Sequence, residues 1–312
     1  MPDDRLEAAP RPLILWSVVI VGVLAISSAS ILIRLADAPP LSIAAYRVGL
    51  AAVMLTPYYV LAGRPQKDQW HRQTLKRIFL SGCFLAFHFV FWIHSLKLTS
   101  VASSVTLVST TPLFVAAFAY LRLGEKPSAR TMSGIVLTLV GSVFIAGIDF
   151  SLSGRALLGD ILALLGALAA AGYLLTGRMV RQSLRLIAYI FGTYGSAALV
   201  LLLCCQLTSA PLHGFTAQTY LFLLLLAAVP QLIGHTTFNW ALKFLSATLV
   251  AVLILGEPIG AISLAFLFLG EQVGGLQSIG LLILGAGIVI CSGSINPVKP
   301  MPAAEDPKRS LT

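Results

Sequence analysis

Apolar residues come in ten long blocks separated by short polar intervals: Leu13 to Leu35, Leu41 to Ala62, Leu75 to Ser95, Ser100 to Leu121, Ala129 to Ile148, Leu157 to Gly177, Leu186 to Thr208, Thr216 to Leu242, Ala247 to Leu269 and Leu276 to Ser294. Each is roughly twenty residues long, the length at which a helix rising about 1.5 Å per residue crosses a ~30 Å hydrocarbon layer. The alternation of apolar and polar positions that a transmembrane barrel needs is absent. The pattern therefore predicts an all-α polytopic membrane protein of ten transmembrane helices. The segments 1–12 and 295–312 are polar, carry proline and charge, and have no periodicity, so they are expected to be disordered tails. Arg5 and Arg11 before the first block and Ala36-Asp37-Ala38 after it have the outline of a secretory signal. The block exceeds a signal core of about 7 to 15 residues, however, and Arg34 separates it from the small residues, so an uncleaved span is expected.

Composition agrees. The chain is 57% hydrophobic and only 11% charged, with a mean hydropathy of +0.91, whereas a soluble domain is roughly 25% charged. A net charge of +9 raises the question of nucleic acid, and the distribution of that charge answers it. With the N-terminus in the cytoplasm, 17 of the 21 Lys and Arg residues fall on the cytoplasmic side, three (Arg34, Lys97, Arg155) on the other, and Arg47 within a span. That bias orients membrane proteins. Both termini are expected in the cytoplasm, the bilayer is the expected partner, and nucleic acid is not. Cys83, Cys204, Cys205 and Cys291 all lie in apolar blocks without the spacings of a zinc site or a disulfide framework, and are expected to be buried thiols.

One stretch is written twice. Leu96 to Gly147, shifted by 146 residues without a gap, lies over Leu242 to Gly293. Lys97 matches Lys243, Ser100 matches Ser246, Pro112 matches Pro258, and Gly124-Glu125 matches Gly270-Glu271. Gly134, Gly141 and Gly147 match Gly280, Gly287 and Gly293. Such a repeat governs the fold. It divides the chain into a first unit, 13–148, and a second, 157–294, with five spans each. An odd number of spans turns the second unit upside down, and inverted repeats are the architecture of many secondary transporters, which rock one unit against the other around a central site.

The stretches Trp92-Ile93-His94-Ser95-Leu96-Lys97-Leu98-Thr99-Ser100-Val101-Ala102, Thr111-Pro112-Leu113-Phe114 and Gly124-Glu125, with their second copies, resemble the two-repeat EamA family of the drug/metabolite transporter superfamily. The likeness runs from about Leu13 to Gly293. It implies ten spans, cytoplasmic termini, a bacterial plasma (inner) membrane, and export of amino acids or other small metabolites without ATP. No phosphate-cradling Gly-x-x-x-x-Gly-Lys-Ser/Thr loop occurs, which agrees, and no cofactor is expected.

Within this frame the candidate binding residues are those that break the apolar pattern. Pro112 lies about 18 Å into its span, near the midplane, and Pro258 occupies the same place in the other unit. Proline removes an N–H and crowds the carbonyl four residues back, so kinks are expected that free backbone oxygens at Val108 and Ile254. Paired breaks of this kind point to a central site. Glu257 stands where the first copy has Thr111, placing a carboxylate at mid-membrane in one unit only. A charge there costs about 2.5 to 3.5 kcal/mol on insertion scales and usually faces a cavity. Glu257 is a candidate proton carrier or a partner for a substrate amine, the alternative being a structural bond to a neighbouring helix. Arg47 must either snorkel to the outer headgroups or find an anion, whether a substrate carboxylate or Glu257.

His88, Trp92, Asn239 and Trp240, with Phe87, Phe91 and Phe238, are candidates for an amphipathic pocket wall on two repeat-related spans, against plain packing or an interfacial belt. His88, His94 and His235 lack a second ligand at helical spacing, so no metal is expected. The Glu of each Gly-Glu pair is expected to help start the following helix. Gly134 with Gly141, and Gly280 with Gly287, form small-residue faces that suit close packing within the monomer or a homodimer seam, and the sequence does not choose. The expected function is a secondary exporter of a small metabolite, not an enzyme, with protons as a possible coupling ion. An importer of the same fold, a membrane-embedded enzyme and a noncatalytic subunit are the alternatives. An enzyme would need a clustered nucleophile and base or a metal set, and the scattered His and Asp residues offer none.

Overall fold

A computed structural model describes residues 10–63, 71–99, 101–124, 126–146, 154–269 and 272–293. The expected C-terminal tail, residues 1–9 of the expected N-terminal one, the repeat residues Ser100, Gly147 and Gly270, and the helix-starting role expected of Glu125 and Glu271 lie outside these residues, whereas Pro12, expected in the tail, already belongs to the first helix. The described chain is helical: α1 (Pro12–Ser27), α2 (Ala29–Leu35), α3 (Pro40–Tyr58) ending in a π-helical turn (Tyr59–Gly63), α4 (Arg72–Leu98), α5 (Val101–Val108), α6 (Thr111–Leu123), α7 (Ala129–Ala146), α8 (Gly154–Arg181), α9 (Leu186–Thr208), α10 (Ala217–Leu226), a second π-helical segment (Ala227–His235), α11 (Thr236–Ala241), α12 (Ala247–Ile254), α13 (Gly256–Leu269) and α14 (Gly275–Ser292). Among the described residues, nine helical stretches are long and apolar enough to cross a membrane, and Ala129–Ile145 is apolar but shorter.

Local chemistry sets the boundaries. Pro39-Pro40 opens α3, with Pro40 in the first turn, where a missing N–H costs nothing. Thr216 and Ser246 cap α10 and α12 by accepting from the amides of Thr219 and Leu249, each at 3.2 Å. Gly124, with φ of 65°, ends α6 in the left-handed conformation that glycine adopts without strain.

The packing follows the repeat. α4 lies against α8, and the counterparts of these two elements, the α10–α11 stretch and α1, also lie together. α6 packs on α12, the other half of the span that corresponds to its own, while α3 packs on α9 and α7 on α14, each a helix against its own counterpart. The last contact brings the two small-residue faces together. A Cβ on Gly134 would sit 2.8 Å from the carbonyl oxygen of Gly287, and one on Gly287 would sit 2.8 Å from that of Gly134. Gly141 and Gly280 exclude each other's Cβ in the same way at 2.7 Å. The numbering runs in opposite directions along the contact, so α7 and α14 cross antiparallel and the glycine faces are spent inside one chain.

Candidate functional site

Four chain breaks meet at the centre of the bundle. The span beginning at Val101 is interrupted between Val108 and Thr111, and the one beginning at Ala247 at Leu255. The proline effect is larger than a kink: Pro112 lies in the first turn of a new helix, α6, and Pro258 follows Glu257 in the first turn of α13. The first span breaks at Ser28, and Ser27 Oγ reaches the backbone oxygen of Glu257 at 3.2 Å. Pro230, inside the π-helical segment between α10 and α11, makes the fourth. Wide turns of this kind are frequent at functional sites.

Between these breaks lies a cavity of about 850 Å³, counting the space at its opening. Its wall repeats itself: Trp92 and Phe238, Val105 and Ala251, Val108 and Ile254, Ser109 and Leu255, Thr111 and Glu257 all line it, and each pair is 146 residues apart. Phe89 and His235, another such pair, meet edge to face at 5.4 Å.

The wall is not symmetric in chemistry. In the first unit three consecutive hydroxyls close the break: Ser109 Oγ donates to the Val105 carbonyl at 2.7 Å, Thr110 Oγ1 to Leu107 at 2.6 Å and Thr111 Oγ1 to Val108 at 2.7 Å. The same positions in the second unit are Leu255, Gly256 and Glu257, which carry no hydroxyl. Gly256 instead admits α1, since a Cβ there would lie 2.8 Å from Val23 Cγ1.

Arg47 is 1% exposed, which rules out snorkelling to the headgroups. Its Nε donates to Gln231 Oε1 at 2.9 Å and its Cζ stands 4.3 Å from the centroid of the Phe89 ring, while Nη1 is buried without an acceptor. Gln231 Nε2 is also buried and unpartnered. Glu257 lines the same cavity, and no hydrogen bond or ion pair joins it to Arg47 among the described residues. A buried cation with only neutral contacts is costly, several kcal/mol before compensation. His88 Nδ1 lies 3.0 Å from the Gly166 carbonyl, which can only accept, so that nitrogen carries the proton. Its ring stacks on Trp92 at 5.9 Å and 9°.

From the cavity a buried polar chain leads to the end of the bundle where α8 finishes and α9 begins. Tyr173 lines the cavity and donates to Asn239 Oδ1 at 2.9 Å, and Asn239 Nδ2 donates to Tyr194 OH at 3.3 Å. Arg181 Nε donates to the Asn239 carbonyl at 3.1 Å and its Nη1 to the carbonyl of Leu184, while Arg178 Nη1 donates to the carbonyl of Leu242 at 2.8 Å. Both guanidiniums thus rest on carbonyls where α11 ends, a favourable place for a cation. Asn239 and Tyr194 have Ile93 and Val48 as first-unit counterparts, so the first unit does not repeat these two links of the chain.

The EamA-like transporter family model matches residues 12–147 and 157–293, nearly the whole chain in two copies. The chain belongs to this family. A relative in Bacillus subtilis, the uncharacterized transporter YxxF, is 23% identical over 242 residues, covering 77% of this chain and 77% of its own. An uncharacterized transporter of Archaeoglobus fulgidus is 26% identical over 270 residues, covering 83% of this chain and 89% of its own. A solved crystal structure superposes with a TM-score of 0.75 at 18% identity, covering 89% of this chain and 97% of that one, which extends the likeness in fold. This EamA protein is therefore a multi-pass membrane protein of transporter type with two repeats.

Of the residues expected at the site, Glu257, Arg47, Pro258, Trp92 and His88 line the cavity. Pro112 is buried beside it behind Thr111. Asn239 is fully buried in the polar chain rather than on the wall, and Trp240 packs on Phe244 at 5.0 Å. Phe87, 42% exposed, stacks on Phe91 at the bundle surface. Three residues outside the expected site matter here: His235 and Tyr173 on the wall, and Gln231 behind Arg47. His235 and Gln231 had a signal. They replace Phe89 and Leu85 of the first copy, the same kind of mismatch that singled out Glu257.

Proposed function

We propose that this protein is a ten-helix, inverted-repeat carrier in a bacterial plasma membrane, with both termini cytoplasmic, which moves a small polar or amphipathic metabolite outward by alternating access. The single observation that carries this reading is the cavity whose wall is built from repeat-related pairs at the helix breaks, with Arg47 and Glu257 inside it. A solute there touches both units at once, so rocking one unit against the other exposes it first to one side and then to the other. The antiparallel crossing of α7 and α14 supports the inverted relation, and the loop charges support the orientation. The outward direction follows the family resemblance.

Glu257 serves as the proton carrier in this reading, and Arg47 and the aromatic wall hold the solute. The test is flux of a metabolite panel in inverted membrane vesicles with and without a pH gradient. Wild-type vesicles are expected to accumulate at least one compound faster when the gradient is present. Glu257→Gln is expected to abolish the acceleration while leaving the protein folded. Full gradient-driven flux in that variant would remove the proton role, and no flux of any compound by the wild type would favour a noncatalytic subunit.

A further inference from the structure

The cavity holds a cation that the protein itself does not neutralise at close range. Arg47 touches an amide oxygen and an aromatic face, both uncharged, and its Nη1 has no acceptor. The residue that decides this is Gln231. Glutamate has the same length and an equivalent oxygen for Nε, and it would pair with the guanidinium and cancel its charge. Gln231 supplies the oxygen without the charge.

Its placement is determined on both sides. Gln231 follows Pro230 in the π-helical segment, and Tyr194 OH donates to its backbone oxygen at 3.4 Å. With Oε1 held by Arg47, the amide cannot flip without setting two donors against each other, so Nε2 is left buried without an acceptor. A fold that accepts two unpartnered buried donors around one guanidinium is keeping that guanidinium oriented and uncompensated. The other ionisable groups on the cavity wall do not discharge it: Glu257 forms no ion pair with it among the described residues, and His88 and His235 carry no negative charge.

We propose that Gln231 is a positioning residue that keeps Arg47 available as an anion receptor, and that the transported solutes carry a carboxylate or similar planar oxyanion. This rests on the reading of the cavity as the transport site. A guanidinium held through Nε keeps its Nη groups for two oxygens of one carboxylate, which reaches the covered Nη1 only as the wall yields around the solute, and a lysine or a rotating side chain would not hold such a fork. Glu257 then answers to another part of the solute, or to a proton.

The experiment uses the full chain in proteoliposomes loaded with N-acetyl-leucine, N-acetyl-phenylalanine and 3-hydroxybutyrate, each with its primary amide, together with choline. Release is followed by mass spectrometry against empty liposomes. The wild type is expected to release at least one acid tenfold or more faster than its amide, a comparison that needs no variant. Gln231→Glu, whose new carboxylate pairs with Arg47, is expected to reduce that acid-to-amide ratio at least tenfold, and Gln231→Leu to raise KM for the acid more than it lowers kcat. Equal release of acids and amides, release of amides or choline without the acids, or an unchanged ratio in Gln231→Glu protein that remains monodisperse overturns this inference alone. Release of none of these solutes by the wild type overturns the transport reading together with it.

Discussion

Thr111 and Glu257 hold one position of the repeat and treat the broken backbone beside them differently. Thr111 spends its hydroxyl on the Val108 carbonyl, which the proline at 112 has deprived of its helical donor. Replacing Thr111 with Val removes that donor at constant shape and should destabilise the protein by about 1 to 3 kcal/mol, the penalty of an unpaired buried carbonyl. Thermal denaturation in detergent measures it, and an unchanged midpoint would mean that water already serves the carbonyl. Glu257 was legible in the sequence because a carboxylate opposite a threonine in a duplicated stretch is conspicuous. Arg47 was legible as the only basic residue well inside an apolar block, though not its choice between lipid and cavity, which depends on Gln231 lying 184 positions away. Asn239 was legible as polar but misplaced onto the wall, because its partner Tyr173 belongs to another helix.

At the scale of elements, the apolar blocks and the helices agree to within a few residues, since the thickness of a bilayer fixes length more firmly than propensity does. What length cannot express is interruption. The break at Ser28 and the π-helical segment around Pro230 fall inside blocks that read as single spans, and their form depends on neighbours that the local sequence does not specify. The α7–α14 crossing shows how closely an element can depend on its partner. Gly141→Leu places a side chain where Leu284 and the Gly280 carbonyl already stand, and it should cost at least the 1 to 3 kcal/mol or so of an overpacked core. Gly285→Leu, on the same helix α14 with open space around its Cα, should leave the thermal midpoint within a degree or two, on the order of a neutral surface change. Equal losses from the two substitutions would mean that helix propensity, not the crossing, sets the cost.

At the scale of the whole molecule, the two units share a backbone plan and differ in what closes their ends. The Tyr173–Asn239–Tyr194 chain and the two buried arginines tie α8, α9 and α11 together at one end, the cytoplasmic one in the proposed orientation. Arg181→Leu removes its contacts to the carbonyls of Asn239 and Leu184, and should shift the balance toward an opening at that end by about 1 to 3 kcal/mol, roughly a fivefold to hundredfold change in population. A single cysteine at Ala241, fully buried at this end, reports it: alkylation by a membrane-impermeant reagent should be slow in the parent protein and at least fivefold faster in the variant. Unchanged labelling would leave the arginines as packing only. The four-glycine crossing has a different consequence, for the order in which the chain is made. α7 completes the first unit, but the surface that fits its groove is α14, the last helix of the described chain to leave the ribosome. Until then α7, whose apolar stretch Ala129–Ile145 is shorter than the other spans, lacks the partner for its groove. A nascent chain that stops before Gly275 therefore contains one entire copy of the repeat and still cannot finish assembling it.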